Sequence, residues 1–309
     1  MSIYATGKAS KHARPHETAA RLERLLEFFG DKPLSFINGT ACDAYVEYRG
    51  SQSAARRELE DLRAAITHHR EQGYCSEIVG VALPEKSLPR ERWLTRSEAA
   101  RLLWAAWRAR QIDANKAGAP TKRPVGQHVA RFILVGLYTG TRAGAVCGAS
   151  LDRLSGRGYI DLEGGVFYRR AEGVRETKKR QTPAPLPDRL LAHLRRWHRL
   201  GLCKTAVVEW GGKPVERVNK GFRKAAATAG LENVMPHTLR HTAATWLMKN
   251  RCDLWEAAGF LGMTVETLER VYGHHHPDYQ RGAANKIAQK PGGHRLGTVS
   301  AEQKRNKMQ

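Results

Sequence analysis

Apolar side chains recur at helical spacing through most of this chain, and this periodicity restricts it to a mainly helical fold. Leu22, Leu25, Leu26 and Phe29 occupy positions i, i+3, i+4 and i+7, and Gly30 follows them as a stop signal. The same spacing returns between Leu59 and His69, ahead of Gly73. We therefore expect the first part of the chain to be helical throughout.

A proline-containing loop ends this helical part. Pro84 and Pro89 lie in the loop, and Thr95 with Glu98 three residues later forms a capping box. The capping box predicts a new helix over residues 97–110. We therefore place a domain boundary in the loop.

The second part of the chain is predicted to be mixed. Residues 159–162 and 166–168 flank a Gly-Gly turn, which predicts a β-hairpin. Residues 177–186 form a third strand or a loop, because Pro183 and Pro185 exclude a central position in a sheet. Further helices are expected at residues 127–138, 190–197, 218–229, 238–249 and 253–262, and residues 114–126 are expected to form an exposed loop. The expected fold class is mainly α (α+β), with a helical N-terminal domain and a mixed domain that contains a small antiparallel β-sheet.

The charge balance indicates a polyanionic partner. The chain has 52 Lys and Arg residues against 30 Asp and Glu, a formal net charge of +22. Binding to phosphates would release counterions, so nucleic acid is the expected partner, and a cationic surface kept only for solubility is the alternative. No apolar stretch is long enough to span a membrane, and no secretory signal is apparent, so we expect the bacterial cytosol or nucleoid. The five cysteines lack metal or disulfide spacing and are expected to be reduced.

Three short motifs combine residues suited to phosphate chemistry. The sequence TGTR ends at Arg142, where a guanidinium and backbone amides can meet one anion. His237 and Arg240 lie three residues apart at a predicted helix start, so both project from one face near the positive end of the helix dipole. Tyr272 follows close to the C-terminus, after the sequence LGM that ends at Met263.

In this order, the motifs resemble those of the tyrosine recombinases, the phage integrase family, which are Thr-Gly-x-Arg, His-x-x-Arg and a tyrosine near the C-terminus. The resemblance implies that Arg142 and Arg240 hold the phosphate, that His237 lies between them, and that Tyr272 is the nucleophile. It also implies a core-binding domain at residues 1–90 and a catalytic domain at residues 91–290. The composition of residues 291–309, rich in Gly, Lys and Arg, predicts a basic tail.

The family also carries a catalytic lysine in a β-hairpin between the two arginines. Here the sequence TKKR at residues 177–180 precedes PAPL, similar to the family's lysine-containing hairpin. Lys178 fits this position best. Lys179 remains an alternative, because adjacent side chains of a strand point to opposite faces and the register is open.

The chain departs from the family pattern at two positions. Met263 stands where the family has a histidine that donates to the phosphate, and a thioether cannot donate. Either His274, His275 or Trp255 supplies this contact, or the site works with one donor fewer. Ala145 replaces an acidic residue, which removes a brace expected for Arg142.

The resemblance implies a site-specific DNA recombinase or integrase of a mobile element. It would cleave and rejoin DNA through a 3′-phosphotyrosyl link, which keeps the energy of the diester, so no ATP or other cofactor is expected. The implied partners are double-stranded DNA and three further copies of the chain, in a tetramer on paired DNA sites. The residues expected to contact DNA are Arg56, Arg57, Arg63, Lys179 and Arg180.

Each candidate residue also has a simpler interpretation as a solvated or core side chain, and the joint order and spacing favour the site. Tyr279 is a rival nucleophile, but it lies beyond the place that the family pattern allows. Three contiguous histidines from His274 cannot all face one ion, so no metal is expected.

Two other functions stay open. One is a DNA-binding regulator or accessory factor with an impaired site, which Met263 and Ala145 would suit. The other is a topoisomerase-like enzyme that nicks and reseals one strand.

Overall fold

The computed structural model describes residues 1–12, 14–87, 91–113, 119–174 and 180–288. The chain divides into two compact units, Met1–Arg90 and Glu91–Gln309. The described residues of the first unit form four α-helices, which are α1 (Ser2–Gly7), α2 (Pro15–Phe29), α3 (Gly39–Arg49) and α4 (Gln52–Glu71).

The helices of the first unit follow the apolar spacing of the sequence. Leu22, Leu25 and Phe29 of α2 are buried, whereas Leu26 lies at the edge of the apolar face and is 47% exposed. A buried carboxylate joins α3 to α4, because Glu58 accepts hydrogen bonds from the Tyr45 hydroxyl at 2.8 Å and from Arg49 Nε at 2.6 Å. All regular secondary structure in the described residues of this unit is helical, as expected, but the chain is not helical throughout, because residues 75–87 form no helix.

The second unit is mixed, as expected. Its helices are α5 (Arg96–Arg108), α6 (Gln127–Thr139), α7 (Ala143–Cys147), α8 (Asp188–Arg199), α9 (Asn219–Thr228), α10 (Thr238–Lys249), α11 (Leu254–Leu261), α12 (Val265–Tyr272) and α13 (Arg281–Ala288). Its strands are β1 (Arg110–Ile112), β2 (Pro120–Pro124), β3 (Tyr159–Asp161), β4 (Val166–Tyr168), β5 (Ala184–Pro185), β6 (Glu209–Trp210) and β7 (Lys213–Pro214).

The predicted hairpin and its third strand form one antiparallel sheet in the order β3-β4-β5. Tyr159 pairs with Tyr168, and Phe167 pairs with Ala184. The proline-rich β5 therefore lies at an edge, where a missing N–H costs least. The capping box is also present, because Thr95 Oγ1 accepts from the Glu98 N–H at 3.2 Å and Glu98 Oε2 accepts from the Thr95 N–H at 2.8 Å.

The loop predicted at residues 114–126 is wrong in part. Residues 120–124 form β2, which pairs with β1 in a two-stranded antiparallel ribbon. Pro124 lies opposite Arg110 and Pro120 opposite Ile112. A ribbon of two strands has an edge on each side, so both prolines are tolerated there. Residues 114–118 lie outside the described part.

The described residues of the second unit form two apolar clusters. In the larger one, α6 is buried on nearly all sides and packs against α5 and α10, and its Phe132 meets Phe222 of α9 edge to face. In the smaller one, Ala244 and Met248 of α10 pack with Leu261 of α11 and with Leu268 and Tyr272 of α12. The end of α12 is thus fixed against α10.

Two further expectations concern the chain as a whole. All five cysteines are free thiols, and Cys42, Cys147 and Cys203 are buried. No helix in the described ranges combines the length and the apolar character that crossing a bilayer requires. The expected tail at residues 291–309 lies outside the described residues.

Candidate active site

The TGTR motif forms a tight turn between α6 and α7. Gly140 ends α6 with φ at 59°, and a Cβ at this position would lie 2.3 Å from Leu261 Cδ2, so only glycine fits. Arg142 follows as the residue that precedes α7. Its Nη1 donates to the Arg180 carbonyl oxygen at 3.0 Å and its Nη2 to that of Gly262 at 3.4 Å. Burial lowers the pKa of its guanidinium.

Arg240 lies in the first turn of α10 and is buried. Its Nη1 donates to the carbonyl oxygens of Gly140 at 2.8 Å and Leu261 at 2.6 Å. Burial, together with the charge of Arg142, lowers its pKa to about 10, and Tyr272 acts in the opposite direction. Among the described residues no carboxylate pairs with Arg142 or Arg240. No hydrogen bond to the described residues engages the Nη2 and Nε groups of Arg240, which are therefore available to an anion.

A third buried arginine, Arg169, lies behind these two and was not predicted. Its guanidinium donates to the Thr141 hydroxyl at 2.8 Å and to the carbonyl oxygens of Thr139 at 2.8 Å, Thr182 at 3.1 Å and Phe260 at 2.7 Å. Burial, with the charges of Arg240 and Arg142, lowers its pKa to about 10. Arg169 thus connects the three segments whose carbonyl oxygens hold the other two arginines.

His237 precedes α10 directly and lies at the exposed rim of the same region. Desolvation lowers its pKa to about 4, and the charges of His241, Arg240 and Arg142 act in the same direction. Water reaches the ring and screens part of this shift, but the direction keeps the imidazole neutral at pH 7. A neutral imidazole can donate through one nitrogen and accept through the other.

Tyr272 ends α12, is 6% exposed and directs its hydroxyl toward α10. The hydroxyl oxygen lies 2.8 Å from Nδ1 of His241. Burial raises the pKa of the phenol, and the charge of Arg240 opposes this effect. The structure therefore brings Arg142, Arg240, His237 and Tyr272 to one positively charged region.

His241 is the second residue at this site that sequence reasoning did not assign. It directly follows Arg240 and lies four residues after His237, so the two histidines share one face of α10. Their rings meet edge to face with centroids 4.9 Å apart. This spacing was the available signal, but only the packing of α12 shows that His241 contacts Tyr272.

The three residues considered as substitutes for the missing histidine lie in different surroundings. His274 is exposed, with its ring centroid 4.0 Å from that of His275. His275 meets the edge of the Trp93 ring at 6.0 Å. Trp255 is 79% exposed in the first turn of α11. Among the described residues, no hydrogen bond, ion pair or ring contact joins any of these three side chains to Arg142 or Arg240.

The two residues that depart from the family pattern are both partly buried. Met263 is partly buried and packs against the smaller apolar cluster. Ala145 is half-buried in α7. The carbonyl oxygens of Arg180 and Gly262 hold the Arg142 guanidinium in place of an acidic brace.

The lysine candidates Lys178 and Lys179 lie outside the described residues. Arg180, which was expected to contact DNA, is exposed, and its carbonyl oxygen accepts from Arg142. Tyr279, the rival nucleophile, is 48% exposed and lies near Gly273. No group of three or more metal-binding side chains occurs in the part of the chain that the structure describes.

The other residues expected to contact DNA lie on α4 in the first unit. Arg56 donates through Nη1 to the Pro84 carbonyl oxygen, and Arg63 donates through Nη2 to that of Val81 at 2.5 Å. Both side chains thus secure the segment that follows α4. Arg57 is exposed.

The geometry agrees with what comparisons with known proteins reveal. The model of the phage integrase family matches residues 93–278. The chain belongs to the phage integrase family. The match includes the TGTR turn, α10 and Tyr272, so every described residue of the candidate site lies within it.

The sequence identity between this chain and an individual curated member of the phage integrase family is low. Tyrosine recombinase XerD of Lacticaseibacillus casei is 27% identical over 176 residues, which are 53% of this chain and 56% of that protein. The match thus spans little more than half of this curated relative.

Two solved structures share the fold. An integrase of the Tn1549 transposon in complex with transposon right-end DNA is 17% identical, with 93% of this chain and 97% of that chain covered and a TM-score of 0.67. Lambda integrase (residues 75–356) bound to DNA is 17% identical, with 91% and 95% covered and a TM-score of 0.62.

Proposed function

We propose that this chain is a site-specific DNA recombinase or integrase that cleaves and rejoins DNA strands through a 3′-phosphotyrosyl intermediate. One observation carries the proposal. The Tyr272 hydroxyl, fixed to α10 at 2.8 Å from His241, lies in the same cationic region as Arg142 and Arg240.

The two arginines would hold the scissile phosphate. Each is braced by main-chain oxygens and keeps N–H donors free of contacts with the described residues, so little reorganisation is needed when a phosphate binds. Both charges would stabilise the extra negative charge of a pentacoordinate transition state. His237, neutral and solvent-accessible, is placed to donate to a phosphate oxygen or to accept a proton.

Attack on phosphorus requires the phenol to lose its proton. Ionising a tyrosine with a pKa near 10 at pH 7 costs about 4 kcal/mol, and burial of Tyr272 adds to this cost. Proton transfer therefore has to accompany formation of the bond to phosphorus. We assign protonation of the departing 5′ oxygen to Lys178, with Lys179 as the alternative, on the family resemblance alone.

The family comparison and the charge of +22 support double-stranded DNA as substrate, with the reaction taking place in the bacterial cytosol or nucleoid. We assign residues 1–90 to DNA binding and residues 91–290 to catalysis. Arg57 and Arg180 are the exposed candidates for phosphate contacts, whereas Arg56 and Arg63 would first have to leave their carbonyl partners. Assembly as a tetramer on paired DNA sites belongs to the same proposal.

Nicked suicide duplexes, tiled across the DNA that flanks the gene, test the chemistry. Wild-type protein should form a covalent protein–DNA adduct that survives denaturing electrophoresis. Tyr272→Phe should abolish the adduct while affinity stays nearly unchanged, and the matched control Tyr279→Phe should form it normally. Absence of adducts on every duplex would favour a DNA-binding regulator, and an undiminished adduct from Tyr272→Phe would move the nucleophile elsewhere.

The same incubations separate strand exchange from simple nicking. A recombinase joins strands of two duplexes into a product of new length. A topoisomerase-like enzyme changes only the superhelicity of a closed plasmid that carries the same sequence. Relaxation without any joined product would contradict the recombinase assignment while retaining the nucleophile.

A further inference from the structure

The contact between Tyr272 and His241 links the proposed nucleophile to a residue without an assigned role. The hydroxyl oxygen and Nδ1 lie 2.8 Å apart, and the ring centroids lie 5.7 Å apart. Tyr272 is buried, and Nδ1 is the partner that the described residues offer its oxygen. A buried hydroxyl proton needs an acceptor, so it is satisfied only when it points at an unprotonated Nδ1.

The surroundings hold both groups in the protonation states that this hydrogen bond requires. Burial, with the charge of Arg240 on the same helix, lowers the pKa of His241, so the imidazole is neutral at pH 7. Burial raises the pKa of the phenol, which therefore keeps its proton. The groups that face His241 in the described part are His237 and Arg240 from α10 and Tyr272 from α12.

We propose that His241 is a second catalytic histidine, whose Nδ1 accepts the Tyr272 proton as the phenol oxygen attacks phosphorus. This inference rests on the proposed function and assigns the role of proton acceptor to His241 instead of His237. His237 is then left for the phosphate. Its ring stands at 90° to that of His241, is accessible to solvent, and feels the charges of both Arg142 and Arg240.

The step balances without a further reactant. The bond from the Tyr272 oxygen to phosphorus forms while the bond from phosphorus to the 5′ oxygen breaks, and its electron pair leaves with that oxygen. The phenol proton moves to Nδ1, which gives an imidazolium, and the 5′ oxygen takes a proton from the general acid of the proposed function. In the rejoining step the imidazolium returns its proton to the tyrosine oxygen as a 5′ hydroxyl attacks.

The negative charge of the substrate makes this transfer feasible. In the free protein Arg240 disfavours a charged His241, because both would be cationic. A phosphodiester held by the arginines offsets that positive charge, and the transition state carries one more negative charge than the diester. Both effects favour the imidazolium at the moment when the phenol oxygen becomes an ester oxygen.

A first test requires no activity. In protein labelled with nitrogen-15 at histidine, the spectrum at pH 7 should show His241 neutral, with Nε2 protonated and Nδ1 unprotonated. Tyr272→Phe should shift the Nδ1 resonance, because the hydrogen bond is lost, and the signals of distant His193 should not move. A protonated Nδ1 would overturn the inference even if the enzyme cleaves DNA. The same holds if the Nδ1 resonance of His241 does not shift in Tyr272→Phe.

A second test uses the suicide duplexes of the proposed function. His241→Asn keeps a side-chain oxygen two bonds from Cβ, as Nδ1 is, but cannot hold a proton. We expect adduct formation at pH 7 to slow by about 10²- to 10⁴-fold, the usual contribution of a general base. The loss should shrink as the pH rises toward the pKa of the phenol, and the matched control His193→Asn should react like wild type.

A substrate with sulfur in place of the 5′ bridging oxygen separates the two proton transfers. A thiolate leaves without a general acid, so this substrate should restore a variant that lacks the acid but not His241→Asn. Equal rates for His241→Asn and wild type would overturn the inference while leaving Tyr272 as nucleophile. Absence of adducts in wild type would instead contradict the proposed function, and the nitrogen-15 experiment would still decide the hydrogen bond.

Discussion

The Arg142 guanidinium donates through Nη2 to the carbonyl oxygen of Gly262 at 3.4 Å, and Gly262 directly precedes Met263. The backbone of the residue that departs from the family pattern is therefore tied to one of the two proposed phosphate ligands. Gly262 adopts φ of 65°, and a Cβ there would lie 2.9 Å from the Arg180 carbonyl oxygen. The conformation of this turn thus depends on Gly262 and not on the side chain at position 263.

We predict that Met263→His accelerates adduct formation on the suicide duplexes by roughly 10-fold. An imidazole at this position supplies a hydrogen-bond donor, and one such donor is worth about 10²–10³ in rate when fully aligned. The gain should be partial, since Met263 now packs against the smaller apolar cluster. Met263→Leu keeps the packing without a donor and should react at the wild-type rate. Equal rates for the two variants would mean that position 263 does not face the phosphate.

The secondary structure could be predicted where its signals are local. The capping box of Thr95 and Glu98 appears as the spacing implied, and the prolines near residue 184 correctly excluded a central strand. The β2 strand was missed because its prolines resemble a loop, and its pairing with β1 depends on neighbours rather than on its own sequence.

The sequence predicted the residues of the site that stand in a recognisable motif. It did not predict the residues that only tertiary packing brings to the site. Arg142, Arg240 and Tyr272 stand in an ordered set of motifs, and their catalytic roles remain predictions. His241 contacts a tyrosine 31 residues away, which only the packing of α10 on α12 reveals. Arg169 belongs to a charged sequence after β4 that looks like a solvated surface. It is buried only because three separate segments close around it.

Arg169 should be a major stabilising residue of the second unit. Arg169→Met would leave the carbonyl oxygens of Thr139, Thr182 and Phe260 without their present donor. We predict a loss of about 3 kcal/mol in the free energy of unfolding, measured by urea denaturation, with relief of repulsion among the arginines reducing the cost. Arg169→Lys should recover only part of this unfolding free energy, because an ammonium group cannot reproduce the planar set of N–H donors of a guanidinium.

The neighbouring Arg170 provides the control for this experiment. It is half-buried, and its side chain makes no hydrogen bond or ion pair with the described residues, so Arg170→Met removes the same charge at nearly the same place. Its effect should stay within about 0.5 kcal/mol. Comparable losses for the two variants would show that net charge, and not the hydrogen bonds of Arg169, governs stability here.

Gly140 should tolerate alanine far less well than Gly50, although both have φ of 59°. At Gly50 an added Cβ has no neighbour within 4 Å among the described residues, so Gly50→Ala should cost only the left-handed backbone penalty of about 1 kcal/mol. At Gly140 the same atom would meet Leu261 at 2.3 Å and Ala243 at 3.2 Å. We expect Gly140→Ala to cost at least about 3 kcal/mol in denaturant unfolding. It should also slow adduct formation, because the Gly140 oxygen positions Arg240. Similar losses of unfolding free energy for Gly140→Ala and Gly50→Ala would contradict the close approach of Leu261 to Gly140.

The capping box of α5 should make stability depend on pH in the acid range. Hydrogen bonds from Arg92, and from the Thr95 backbone, lower the pKa of Glu98 to about 2, from 4.5. Since the folded value lies below the unfolded one, the stabilisation is complete above about pH 4.5 and is lost as the pH falls toward 2. Glu98→Gln should therefore be less stable than wild type at pH 7. The difference in unfolding free energy should narrow through this window and vanish near its lower end, as urea titrations at successive pH values would measure. A difference that stays constant from pH 7 to pH 2 would show that Glu98 acts through packing or neutral hydrogen bonds and not through its charge.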